Sequence, residues 1–256
     1  MLFYFSATGN TRMAAQRIAT ALDETLYYIP DEMGKTGTYT LQPNERIGFC
    51  FPVHGWRPPL LVRQFVRQLT FDTSPQGHYI WALCTAGDTI GTTMQLFEHD
   101  LTDRQWHLDA AFTLIMPETY VGLPGMDVDT PENEQRKKRE AAIALTNYIP
   151  LIVQRQKGVK RLVIGRWPHF KSGLIGDFFI KHLIDDHRFR VDLDRCIRCG
   201  ACVTVCPVHN MTGGKGVAPQ WLHSGRCLTC FACYHRCPRH AIAFGRWTKG
   251  KGQYRF

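Results

Sequence analysis

Several common signals are missing from this chain of 256 residues. It has no run of 18 apolar residues, so no membrane span is expected. The opening MLFYFSATGN has neither a basic segment nor a small-residue cleavage site, and reads as a first strand rather than a signal peptide. A cytoplasmic protein is expected, in which thiols stay reduced and serve as ligands more often than as disulfides. The first glycine-bearing loop contains no lysine and no GxGxxG, which argues against a nucleoside triphosphate loop and against a dinucleotide fingerprint. No catalytic dyad is evident.

Acidic residues are scarce at one end. Residues 189–256 hold two, Asp192 and Asp194, against eleven Lys and Arg. Residues 1–188 hold twenty of each sign, so the net charge of +9 belongs to the C-terminal part. That shift predicts a boundary near residue 189. Three regions are expected: 1–157, a connecting segment 158–188, and 189–256.

The abundant feature is cysteine. Cys50 and Cys84 stand alone on apolar runs and are expected to be buried. The other eight lie between residues 196 and 237, in CIRCGACVTVCP and CLTCFACYHRCP. A disulfide scaffold and a zinc module are the alternatives to weigh. Each run carries four cysteines in the pattern CxxCxxCxxxCP, whereas a zinc ribbon takes its four thiolates from two CxxC pairs. Iron–sulfur chemistry fits better. Three closely spaced thiolates converge on one cluster, and the fourth, followed by proline, reaches the other. The expected sets are Cys196, Cys199, Cys202 and Cys237 for cluster I, and Cys227, Cys230, Cys233 and Cys206 for cluster II, each a [4Fe–4S] cluster.

Before residue 157, apolar runs alternate with helical periodicity. Strands are predicted at 2–5, 25–29, 46–51, 79–84 and 110–116. Helices are predicted with Met13, Ala14, Ile18, Ala21 and Leu22 on one face, after Pro58, near 89–100, and from Pro131. Alternation of this kind gives an α/β fold, a doubly wound five-stranded parallel sheet of order 2-1-3-4-5. Ligands of such sheets bind at the carboxyl ends of the strands, where the order reverses. Three turns meet there.

In the first turn, Ser6, Thr8, Asn10 and Thr11 offer neutral donors around Gly9 at a helix start, an arrangement suited to an anion. In the second, Pro52, Val53, His54, Gly55 and Trp56 supply an aromatic wall and a backbone free to turn; Arg57 follows, read as solvated at a helix start. In the third, Thr85, Ala86, Gly87 and Asp88 supply backbone groups; Asp88 also reads as the N-cap of the next helix. Residues 172–184 read as an amphipathic helix that packs on one or both domains. The glycine-rich insert 211–226 reads as a loop that touches the first domain or a partner.

These turns resemble the three FMN loops of flavodoxins, and the cysteine runs resemble bacterial two-cluster ferredoxins. FSATGNTR, FPVHGW, CTAGD, MPETYVGLPGMDVD and the two cysteine runs together resemble the flavodoxin–ferredoxin fusion proteins of anaerobic bacteria, the EFR-family ferredoxins. The resemblance implies a flavodoxin-like domain joined to an α+β ferredoxin-like domain, with FMN and two [4Fe–4S] clusters as cofactors. It also implies an electron carrier, with Tyr120 covering the flavin. The alternatives are an FMN-dependent reductase of a quinone, nitro compound or similar molecule, and a nucleic-acid binder. No recognition motif supports the last, and no nucleic-acid partner is expected. Much of the basic excess offsets cofactor charge, and the rest would steer an acidic redox partner.

Overall fold

The computed structural model describes residues 1–35 and 37–256. In chain order the elements of the first part are β1 (Leu2–Tyr4), α1 (Asn10–Leu22), β2 (Leu26–Tyr28), α2 (Ile29–Glu32), β3 (Arg46–Pro52), α3 (Leu60–Gln68), β4 (Tyr79–Ala86), α4 (Thr93–Thr102), β5 (Ala110–Ile115), α5 (Pro131–Val153) and β6 (Val159–Arg161). The strands form one parallel sheet of order β2-β1-β3-β4-β5-β6. The expected order 2-1-3-4-5 is present, with a sixth strand added beyond β5. Two of the three residues of β6 are cations, and it pairs through Val159↔Ala110 and Lys160↔Ala111 at the sheet edge. Such a short, charged edge strand has no apolar period to announce it.

The sheet is buried on both faces because its central strands are apolar throughout. Alternate residues serve opposite cores. Phe3, Phe49, Phe51, Ile80 and Ala82 pack with α3 and α4. Leu2, Cys50, Trp81, Leu83 and Phe112 pack with α1 and α5. Helix α1 lays Ala14, Ala15, Ile18 and Ala19 on the sheet, small side chains that allow a close approach. The N-cap of α5 is Thr130, whose hydroxyl accepts the Asn133 N–H, with Pro131 in the first turn. Cys50 and Cys84 are fully buried core thiols, as expected. Burial raises the pKa of both, that of Cys84 to about 12.

The connecting segment folds as α6 (Pro168–Phe170), a π-helical turn (Lys171–Ile175) and α7 (Gly176–His182). Ser172, Gly176 and Phe179 face inward. Trp167, Phe170, Leu174 and Phe178 lie on the outside, between 51% and 71% exposed. Arg57 is held by this segment: it donates to the carbonyls of Ser172 at 2.6 Å and Gly173 at 3.4 Å, and pairs with Asp177 at 2.9 Å. It is therefore not the solvated arginine expected from its position.

The C-terminal part contains β7 (Phe189–Val191), α8 (Ala201–Thr204), β8 (Met211–Gly214), β9 (Val217–Trp221), α9 (Ala232–Arg236) and β10 (Ile242–Phe244). β7 and β10 pair antiparallel and close the module. The two cysteine units are built alike. Arg198 and Gly200 have positive φ, and so do Thr229 and Phe231, which hold the equivalent places in the second run. A short helix follows each pair. The insert is not an open loop. It forms the β8–β9 hairpin, whose Gly214 packs on Gly200 and whose Trp221 stacks on Phe189 at 5.3 Å. Val208, Leu228 and Cys230 meet the first core instead.

The chain then returns to its beginning. The Phe256 N–H donates to the Thr8 carbonyl at 2.9 Å. Buried Tyr254 donates its hydroxyl to Asn10 Oδ1 at 2.7 Å. His235 fastens the same region: Nε2 donates to the Thr119 carbonyl at 2.7 Å, and Nδ1 accepts the Tyr254 N–H at 3.1 Å. No helix of the described residues is long and apolar enough to cross a membrane.

Candidate functional site

The three turns at the carboxyl ends of β1, β3 and β4 converge on one cavity of about 390 Å³. Of the residues singled out in the sequence, Ser6, Thr8, Asn10, Thr11, Pro52, Val53, His54, Gly55, Trp56, Thr85, Ala86, Gly87 and Asp88 all line it. Gly9 does not. Its φ is 111°, and the close approach it permits is made by Phe256, whose Cβ would lie 2.8 Å from a Cβ placed on Gly9. A side chain at this position would therefore displace the end of the chain.

The polar side chains divide into two groups. Asn10 donates its amide to the Pro117 carbonyl at 2.9 Å and accepts from Tyr254, so its side chain fastens the loop. The Thr11 and Thr85 hydroxyls bond to each other at 2.8 Å and tie the first turn to the third. Ser6 accepts the Gly9 N–H at 3.2 Å and keeps its own proton to donate. Asp88 does not cap α4, which starts five residues later behind Thr92; its carboxylate accepts the N–H of Thr89.

In the second turn, Gly55 and Trp56 both have positive φ, 57° and 58°. Two hydrogen bonds between His54 and Arg57 close the turn. A Cβ on Gly55 would meet Phe179 Cδ1 at 2.7 Å, so the helix of the connecting segment rests on this glycine. Trp56 lines the cavity, with Lys171 Nζ 5.6 Å from its ring centroid. Burial holds His54 neutral, lowering its pKa to about 4.

The sequence reading did not single out Glu118. Its carboxylate also lines the cavity, accepting the N–H groups of Thr119 and Tyr120, each at 2.8 Å. Burial raises its pKa, and the two hydrogen bonds oppose that shift. Gly87 is small because Glu118 fills the space: a Cβ there would lie 2.1 Å from Oε2. The acid followed Pro117 in a turn-rich stretch, where nothing local marks it. Leu228, Thr229 and Cys230 of the second cysteine run also reach the cavity, a placement made by the fold alone.

The cavity suits a flavin. It is large, walled by Trp56, Phe178 and Phe179, and edged by backbone turns. Tyr120 also lines it, with a buried hydroxyl that has no hydrogen-bond partner among the described residues. An unpartnered buried hydroxyl is costly in a finished fold and is relieved by a polar ligand. Tyr120 is braced by Phe179 and Phe231, each at a centroid distance of 5.3 Å.

The eight cysteines of the C-terminal part are all unpaired as disulfides. Cys202 is raised to about 11 by burial, then by the charges of Cys237 and Cys196. Cys227 is raised to about 11, chiefly by burial, with Cys206 adding to the shift. Cys230 is raised to about 12 by burial, and Cys227 and Cys206 act in the same direction. Thiols that raise one another are close neighbours. Cys206 thus lies near Cys227 and Cys230, and Cys237 near Cys202, while Cys233 feels both Cys206 and Cys202. Backbone N–H groups of Asn210, Thr229 and Ala241 point at the sulfurs of Cys206, Cys227 and Cys237, at 3.3, 3.4 and 3.2 Å. Such donors stabilise thiolates and tune clusters.

Residues 188–238 match the family model described as a 4Fe-4S dicluster domain. No curated protein matches the chain. Among solved structures, it is similar to a putative flavoprotein from Bacteroides uniformis, at 20% identity over 44% of this chain and 88% of that one, with a TM-score of 0.33. It is also similar to rubredoxin oxygen:oxidoreductase from Desulfovibrio gigas, at 16% identity over 57% of this chain and 35% of that one, with a TM-score of 0.33. The Flv1 flavodiiron core from Synechocystis gives 16% identity over 59% and 36%, with a TM-score of 0.32. These likenesses are weak, and the fold class rests on the strand order itself. A doubly wound sheet carrying a cavity at its switch point thus shares one chain with a segment that matches a dicluster iron–sulfur domain.

Proposed function

We propose that the protein is an iron–sulfur flavoprotein that relays electrons between FMN in the 390 Å³ cavity and two [4Fe–4S] clusters. One observation carries the reading: Cys230 lines the same cavity as the three flavin loops. When bound, the flavin supplies one- and two-electron chemistry and the clusters supply single-electron exchange. The chain's own work is placement. Cys230, with Cys227, Cys233 and Cys206, would hold cluster II against the flavin wall. Cys196, Cys199, Cys202 and Cys237 would hold cluster I farther out, where Cys199 is exposed. Trp56 and Tyr120 would cover the ring, Ser6 and the backbone of 6–11 would receive the phosphate, and Phe179 would exclude water from the far side. Exposed Cys199, in a basic module, marks the side that meets a redox partner.

Anaerobic purification tests the reading. About eight iron and about eight sulfide per chain, with one FMN, are expected for two [4Fe–4S] clusters and a flavin. Two tight zinc ions and no flavin would overturn it. The second reading, an FMN-dependent reductase, is favoured by the apolar and partly open wall at Ile175 and Phe178. Steady turnover of a quinone or nitro compound, rather than exchange with a carrier alone, would decide for it.

A further inference from the structure

A second cavity of about 290 Å³ lies on the other side of the first turn, and Ser6, Ala7 and Thr8 line both. Its character is different. Three arginines line its wall: exposed Arg12 from α1, half-buried Arg236 from the end of α9, and exposed Arg255 from the chain end that packs on Gly9. None of the three has a carboxylate partner or a side-chain hydrogen bond among the described residues, in contrast to Arg46, Arg63 and Lys137, each of which pairs with a carboxylate. Asp31 is the one carboxylate on the wall, and it forms no ion pair there among the described residues.

Like charges gathered on a concave surface repel one another, and a bound anion relieves them. The guanidinium fork matches phosphate oxygens two at a time. The adjoining turn supplies the hydroxyls of Ser6 and Thr8 but no cation of its own. The missing cations come instead from α1 and from the iron–sulfur part.

We propose that this cavity binds a phosphoryl group, held by Arg12 on one domain and by Arg236 and Arg255 on the other, so that binding latches the two domains together. Two sources share this chemistry. One is the phosphate of the flavin itself, which rests on the function proposed above. The other is a free phosphate or the phosphate of a separate small molecule.

The test compares FMN with riboflavin on the anaerobically purified protein, by quenching of flavin fluorescence. Native protein is expected to prefer FMN by roughly ten-fold or more, the effect of charge-assisted bonds. Arg236→Gln with Arg255→Gln is expected to bring that preference close to one while riboflavin binding stays. Arg236 adjoins Cys237, so Arg12→Gln, far from any cysteine in sequence, is measured beside it, with iron content checked throughout. If the flavin's phosphate is not the occupant, inorganic phosphate should raise the melting temperature of the native protein and fail to raise that of Arg12→Gln, with the FMN preference unchanged. An FMN preference and a phosphate effect both indifferent to all three arginines would overturn the latch. Native protein that binds neither flavin would overturn the flavin reading, while the phosphate titration would still decide the latch.

Discussion

Tyr254→Phe removes one oxygen and isolates the contact between the chain end and the first turn. The hydroxyl is buried, with Tyr254 5% exposed, and donates to Asn10 Oδ1 at 2.7 Å. Asn10, 8% exposed, cannot turn to water, because its amide is committed to the Pro117 carbonyl. Phenylalanine keeps the ring, its contact with Lys138 Nζ and the backbone bond to His235. What remains is a buried acceptor without a donor, which costs about 1–3 kcal/mol. For a chain of this size each kcal/mol moves the melting temperature by about 2–4 °C, so a fall between about 2 and 12 °C is expected. The assay is anaerobic melting followed by circular dichroism and by cluster absorbance. Asn10→Ala completes a double-mutant cycle. If both substitutions remove the same bond, their effects fall short of additive by about 1 kcal/mol. A variant that melts with the native protein, or a cycle that adds cleanly, would refute the reasoning.

Cys230→Ser should abolish cluster II and slow flavin reduction by a ferredoxin-type donor, while cluster I persists; electron paramagnetic resonance of the reduced protein separates the two. Gly87→Ala places a Cβ on the Glu118 carboxylate and should weaken flavin retention, with a loss of stability of about 1–3 kcal/mol. Gly34→Ala meets nothing within 4 Å and should show only the strain of a positive φ, without any effect on flavin. His54, whose pKa falls from 6.5 to about 4, is neutral in the fold and charged more readily when unfolded. Its contribution is therefore complete above pH 6.5 and is lost as pH falls toward 4. The native protein should lose about 2 kcal/mol more than His54→Gln between pH 7 and pH 5, read by denaturant unfolding.

The parts legible in the sequence were those that repeat or alternate. The apolar runs of β3 and β4 announced a sheet covered on both faces, and the order of the central strands followed. The turns at residues 6, 52 and 85 could be placed together because the switch-point rule is geometric. The sixth strand, Val159–Lys160–Arg161, left no trace because an edge strand in water needs no apolar period. Asp88 looked like a cap because a turn aspartate before a helix usually is one, but the helix begins later. The side chain of Asn10 looked free because nothing local shows that Tyr254, 244 residues away, donates to its oxygen. The same limit hid Glu118, the reach of Cys230 into the first cavity, and the three arginines of the second. Each of these placements is made by elements distant in the chain.

The return of residues 254–256 to the first turn makes the shape of that turn depend on the other part of the molecule. The Thr8 carbonyl and the Asn10 side chain receive donors from Phe256 and Tyr254. His235, which positions Tyr254, sits inside the second cysteine run between Cys233 and Cys237. A change that loosens the cysteine module is therefore expected to reach residues 8–10 through His235 and Tyr254, without touching the sheet behind them.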